Sequence, residues 1–140
     1  MTSRKIIFTN GCFDVLHLGH VSLLEYCSSL GEVIVGINSD KSVRQLKGES
    51  RPINGQEARI KVLESIRYVK QVILFNELTP YRLIEEIRPD VIVKGGDYKP
   101  HEVVGFDLAQ VVIFPFVKNY SSSTIISAQN LNNGKNLTIT

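Results

Sequence analysis

The sequence predicts an α/β fold: a doubly wound parallel sheet in a three-layer αβα arrangement. Three observations carry this. Apolar, β-branched runs alternate with helical patterns almost from end to end. The strand runs are continuously apolar, as strands buried on both faces are. The segments rich in Gly, His, Lys and Ser also follow strands, where open α/β sheets bind their ligands.

Lys5–Thr9 is apolar and β-branched, a buried strand. Leu18–Leu30 places Val21, Leu23, Leu24, Tyr26 and Cys27 at helical spacing, and Gly31 is set to end that helix. Val33–Ile37 is a second strand, followed by a polar segment, Asn38–Lys47, that reads as a ligand-facing connection. Asn54–Ile66 is a helix with Ile60, Val62, Leu63 and Ile66 on its apolar side. Val72–Phe75 is a third strand. Thr79 is the expected N-cap and Pro80 the first residue of a helix running to about Ile87, which Pro89 terminates. Val91–Val93 and Val111–Phe114 are the fourth and fifth strands, and Ser122–Gln129 is the expected last helix. Right-handed crossovers follow from general handedness.

The chain has 140 residues, read as one domain over 1–130 with a polar, aperiodic tail at 131–140. A chain of this length buries roughly two-thirds of its unfolded surface, enough for a core without disulfides or metals. The net charge of +2 argues against nucleic acid as the main partner. No stretch is long and apolar enough to span a membrane, and no secretory signal is visible. Cys12 and Cys27 lack metal-type spacing, so the expectation is a cytoplasmic protein with reduced thiols.

The segment Gly11-Cys12-Phe13-Asp14-Val15-Leu16-His17-Leu18-Gly19-His20 concentrates the chemistry. A strand hands over to a helix there, and a helix start offers free N–H groups and a positive dipole end to phosphate. His17 and His20 can donate to a phosphoryl group as charge builds on it, and Gly19 allows close approach. One capping and one core histidine is the plainer alternative. Zinc is disfavoured, because His101 is the one other histidine and no third ligand has suitable spacing. Asp14 can cap the helix, hold a substrate hydroxyl or orient a metal-bound phosphate; Phe13 reads as packing and Cys12 as a small filler.

Further along, Ser39, Asp40, Arg44, Lys47, Arg51, Glu57 and Arg59 follow the second strand. Lys offers a point charge and Arg a bidentate fork, both suited to polyphosphate. Lys47 precedes Gly48 in what reads as a loop folding over a ligand, and Arg59 lies at the edge of an apolar stripe, able to point toward the site. Lys94-Gly95-Gly96-Asp97-Tyr98 closes the fourth strand; paired glycines let a flat base lie against backbone, although a plain turn explains them too. Ser121, Ser122, Ser123 and Thr124 open the last helix with hydroxyls and free N–H groups.

Together these residues resemble the H-x-G-H nucleotidyltransferases, the cytidylyltransferase-like group. Val43-Arg44-Gln45-Leu46-Lys47-Gly48, Arg51-Pro52-Ile53-Asn54 with Glu57 and Arg59, and Val93 to Pro100 are similar to one branch. That branch is the D-glycero-β-D-manno-heptose 1-phosphate adenylyltransferases, found alone or fused to a sugar kinase. The similarity covers roughly Lys5 to Ala128. It implies a Rossmann-like fold, a nucleoside triphosphate (ATP) with Mg²⁺, a phosphorylated small-molecule acceptor, and often a homodimer.

The resemblance also implies roles. His17, His20, Lys47 and Arg59 are the expected catalytic residues, the histidines on the α-phosphate, Lys47 and Arg59 on the departing phosphates. Gly11, Cys12, Phe13, His17, Gly19, His20, Lys94, Gly95, Gly96, Asp97, Ser122, Ser123 and Thr124 are the expected nucleotide contacts. Asp14, Asp40 and Lys47 face the acceptor, and no residue is expected to ligate a resident metal. Two segments depart from the branch: Gly105–Gln110 is shorter, and Asn119-Tyr120-Ser121 replaces a Cys-bearing approach. Both leave base and acceptor open. A cytidylyltransferase acting on glycerol 3-phosphate or another small phosphate or phosphonate, and a non-catalytic nucleotide-binding module, stand as alternatives.

Overall fold

The structure, a computed structural model, describes residues 4–115. The expected helix at 122–129, with Ser122, Ser123 and Thr124, and the 131–140 tail lie outside the described residues. Five parallel strands form one sheet in the order β3-β2-β1-β4-β5. They are β1 (Ile6–Gly11), β2 (Glu32–Asn38), β3 (Gln71–Phe75), β4 (Val91–Gly95) and β5 (Gln110–Phe114). The helices are α1 (Leu18–Leu30), α2 (Asp40–Lys47), α3 (Gln56–Glu64) and α4 (Tyr81–Ile87), with a 3₁₀ turn at Pro100–Glu102.

Alternation along the central strand divides the core. Ile7 packs with Leu23, Leu24 and Cys27 of α1 and Leu63 of α3, while Phe8 packs on the other face with Ile84 of α4, Ile92 and Val103. Each of these side chains is 8% exposed or less, and full burial of one contributes about 1.5–3 kcal/mol. Gly36 of β2 admits Phe8: a Cβ there would sit 2.7 Å from the ring. The chain winds outward from β1 to β2 and β3, then returns to β4 on the other side of β1. That reversal opens a crevice beyond the carboxyl ends of β1 and β4.

The elements differ from expectation in three places. Asp40–Lys47 is a helix, not a connecting segment. Ser39 caps it, its Oγ accepting the Ser42 N–H at 3.2 Å, and Gly48 ends it with φ 98°. Only Ser42 and Val43 of α2 are buried, so no apolar stripe announces it. The next helix starts at Gln56, not Asn54, because Asn54 is bonded elsewhere (below), and Val62 is 48% exposed. Pro80, not Thr79, is the N-cap of α4, with no side-chain cap bond.

Candidate active site

The turn from β1 into α1 is built by contacts its own residues dictate. Gly11 leaves room for Phe13, whose ring would lie 3.2 Å from a Cβ at that position. Phe13 takes φ 50°, buries its ring, and sets it against His20 with centroids 5.0 Å apart. His17 is the N-cap of α1, so the helix-cap alternative for Asp14 is excluded. The Gly19 N–H donates to His17 Nδ1 at 3.1 Å, and the His17 N–H donates to His20 Nδ1 at 3.3 Å. Two imidazoles thus do the reciprocal work that Ser and Glu do in a capping box. The rings stack with centroids 3.8 Å apart.

This capping decides the tautomer. A backbone N–H only donates, so each Nδ1 must be an unprotonated acceptor, and the ring proton sits on Nε2. Both histidines present Nε2–H, a neutral donor needing no added charge. Burial, then the charges of His17 and Lys47, lower His20 to about 4. Burial also lowers His17.

Lys47, the last residue of α2, is exposed, and its charge reaches three groups of the crevice. It acts on His20, on Lys94 and on Cys12. Lys94 is lowered, chiefly by burial, and its Nζ lies 5.3 Å from the Tyr98 ring centre. Burial pushes the Cys12 thiol up, partly offset by Lys47, Arg59 and Arg51, so Cys12 is no ready nucleophile. The structure therefore brings His17, His20, Lys47, Lys94 and Cys12 together. Gly95 ends β4, and buried Gly96 follows with φ 121°, its N–H bonded to Phe114 O at 2.9 Å. Asp97 is exposed beyond them.

Asp14 and Arg59 are engaged within the protein. Asp14 is 2% exposed; its carboxylate accepts from Arg51 Nε (2.8 Å) and the N–H groups of Ile53 (2.9 Å) and Asn54 (2.8 Å). The Asn54 side-chain amide donates back to the Asp14 carbonyl. Burial alone would raise this carboxyl; the Asn54 and Ile53 N–H groups and Arg51 outweigh it and hold it below the usual range. Asp14 thus clasps the 51–54 segment, which includes a cis Arg51–Pro52 bond, onto the loop between β1 and α1.

Arg59 is also 2% exposed. Its Nε donates to Asn54 O (2.9 Å), Nη1 to Cys12 O (2.8 Å) and Asn38 O (2.7 Å), and Nη2 to Asp40 Oδ1 (2.8 Å). One fork joins the ends of β1 and β2 to the starts of α2 and α3. In this geometry it holds backbone and Asp40 in place, with little left to offer a departing phosphate. Its burial has a sequence signal that the apolar stripe hides: Arg59 is four residues before Leu63, the buried anchor of α3. Asp40, held by Arg59 and by Gln56, whose Oε1 accepts the Asp40 N–H at 3.0 Å, faces a separate polar cavity of about 440 Å³ with Arg44, Glu57 and Asn76. Among the described residues no group of three His, Cys, Asp or Glu side chains is placed to hold a metal ion.

Residues 8–129 match the family described as cytidylyltransferase-like. The chain belongs to the cytidylyltransferase-like family. Within it, this chain is 54% identical over 125 residues to the bifunctional protein HldE of Wolinella succinogenes, a match covering 88% of this chain and 26% of the relative. It is 60% identical over 103 residues to the bifunctional protein HldE of Haemophilus ducreyi, covering 73% of this chain and 22% of that one. The chain therefore spans about a quarter of the length of these curated relatives.

Among solved structures, the lipopolysaccharide core biosynthesis protein of Thermoplasma volcanium superposes with a TM-score of 0.68 at 26% identity, over 85% of this chain and all of that one. A pantoate-β-alanine ligase of Francisella tularensis superposes with a TM-score of 0.58 at 18% identity, over 93% of this chain and 70% of that one, a likeness of fold alone. No helix of the described residues is long and apolar enough to cross a membrane.

Proposed function

We propose that this chain is a nucleotidyltransferase that moves a nucleoside monophosphate from ATP to a sugar phosphate such as D-glycero-β-D-manno-heptose 1-phosphate, releasing pyrophosphate. The observation that carries the reading is the stacked His17–His20 pair. Two Nε2–H donors fixed by backbone at a helix start suit an α-phosphate that gains charge in the transition state. Family membership and the HldE relatives support the reaction class and the sugar-phosphate acceptor.

The chemistry needs alignment more than acid–base work. An ionised oxygen of the acceptor phosphate forms a bond to the α-phosphorus, and the bond to the bridging oxygen of pyrophosphate breaks. No proton has to be removed from the nucleophile. His17 and His20 steady the α-phosphate, and Lys47 and Lys94 offset the charge leaving with pyrophosphate. Gly95 and Gly96 give the base a flat backbone edge at the end of β4, with Asp97 beside the ribose. The loop's donors are imidazoles and cations, and the Asp14 carboxylate is already engaged. That set fits Mg²⁺ carried on phosphate oxygens and water, where it supplies further charge neutralisation.

The test is incubation of the purified chain with each of four nucleoside triphosphates and a panel of sugar and polyol phosphates. Pyrophosphate release is followed, and the product identified by mass. A nucleoside diphosphate sugar is the expected product. A CDP-polyol from glycerol 3-phosphate would move the chain to a cytidylyltransferase. Nucleotide binding without product would make it a non-catalytic module.

A further inference from the structure

We propose that Arg51 is a ligand of the acceptor's phosphate, a specificity-determining contact of the reaction proposed above, on which this inference rests. The two arginines beside the phosphate loop differ in what they have left to give. Arg59 has placed Nε and both terminal nitrogens on protein oxygens. The Arg51 side chain makes a single hydrogen bond among the described residues, from Nε to Asp14. Its Nη2 is buried with no partner, while the side chain keeps 13% exposure. A buried donor on a permanent cation is costly when unsatisfied, and the fork that carries it matches two oxygens of a phosphate.

Its position names which phosphate. Arg51 sits on Asp14, three residues before His17, held there by the Ile53 and Asn54 bonds to the same carboxylate. Its charge acts on Cys12, as does that of Lys47, so both cations border the same loop. The segment reaches the loop from α2, on the β2 side of β1. The Lys94–Gly96 edge proposed for the nucleotide lies on the opposite, β4 side. In-line transfer needs the attacking oxygen opposite the departing pyrophosphate. Lys47 acts on His20 and Lys94, where that pyrophosphate is proposed to lie, whereas Arg51 is tied to Asp14, so the anion on Arg51 is assigned to the attacking phosphate. The ligand class is a phosphomonoester dianion.

The experiment is equilibrium titration of the full chain and of Arg51→Gln and Arg51→Lys, with three probes measured separately: D-glycero-β-D-manno-heptose 1-phosphate, inorganic phosphate, and ATP with Mg²⁺. Losing a charge-assisted fork predicts roughly 10- to 100-fold weaker binding of the first two probes in Arg51→Gln. ATP affinity should stay within about twofold of wild type, a ratio small on that same scale. Arg51→Lys keeps a cation against Asp14 and so guards against a detached 51–54 segment. It must show the same selective loss. Weakened ATP with unchanged acceptor binding, equal losses for all probes in Arg51→Lys, or no change in any probe would each overturn the assignment. Because binding is read without turnover, the result stands apart from whether pyrophosphate is released.

Discussion

His17 and His20 lie ring over ring, 3.8 Å between centroids, and each Nδ1 is closed by a backbone N–H. Protonating either Nδ1 would break a cap of α1. The pair is thus built to donate while neutral, and the phosphate-clamp role proposed for it is inseparable from its role in starting the helix.

Replacing either histidine by alanine should remove most turnover. Loss of one preorganised donor costs about 2.7–4 kcal/mol of transition-state stabilisation, or ~10²–10³ in kcat. Steady-state kinetics on variants verified as folded by circular dichroism will show it. A kcat near wild type in either variant contradicts the assignment.

Acid should weaken the fold in a defined window. His20 is lowered to about 4 in the folded chain against an ordinary value of 6.5. The unfolded chain therefore binds more protons between these values, so stability present above pH 6.5 is lost as pH falls toward 4. Asp14, also lowered, adds a loss in the same direction below the ordinary carboxylate range. Urea midpoints measured from pH 7.5 to 4.5 should fall, and His20→Gln should flatten that slope. A midpoint independent of pH in the wild type would sink this reading.

Arg59→Ala should act on stability before affinity. It leaves the carbonyls of Asn54, Cys12 and Asn38 and the Asp40 carboxylate without their donor. Breaking a buried pair costs about 3–5 kcal/mol; Asp40, whose side chain is 33% exposed, places this case at the lower end. Arg59→Lys should recover little, since one ammonium cannot span the same oxygens. A variant as stable as wild type that has lost triphosphate affinity would return Arg59 to the departing phosphates.

The parallel strands, their alternation with helices and the strand-to-helix turn that carries the histidines were legible because each leaves a periodic or local signal. Ile7 and Phe8 alternate faces, and the His17–His20 spacing sits at a strand-to-helix turn. Helix α2 was not, since Ser42 and Val43 alone are buried and no stripe forms. The engagement of Asp14 and Arg59 was hidden for another reason. Their partners lie up to 40 and 47 residues away, at Asn54 and Cys12, and no local pattern encodes contacts at that range. Cations near a phosphate loop read alike in sequence; only the closed fork of Arg59 and the open one of Arg51 tell them apart.

Lys47→Ala should weaken binding of a nucleoside triphosphate more than that of the matching monophosphate. Its charge reaches His20 and Lys94, where the departing phosphates are proposed to lie, and a monophosphate lacks them. Calorimetric titration with both nucleotides decides. Equal losses would place Lys47 on the acceptor or at the surface.

The central claim is adenylyl transfer to a sugar phosphate. It is tested most directly by kcat/KM for ATP and for CTP, each with D-glycero-β-D-manno-heptose 1-phosphate. A pocket that hydrogen-bonds one base edge leaves buried polar groups unpaired with the other, so discrimination should be large. The account predicts a strong preference for ATP, with ADP-heptose and pyrophosphate as products. Faster pyrophosphate release from CTP than from ATP, with this and every other sugar phosphate tried, would contradict it.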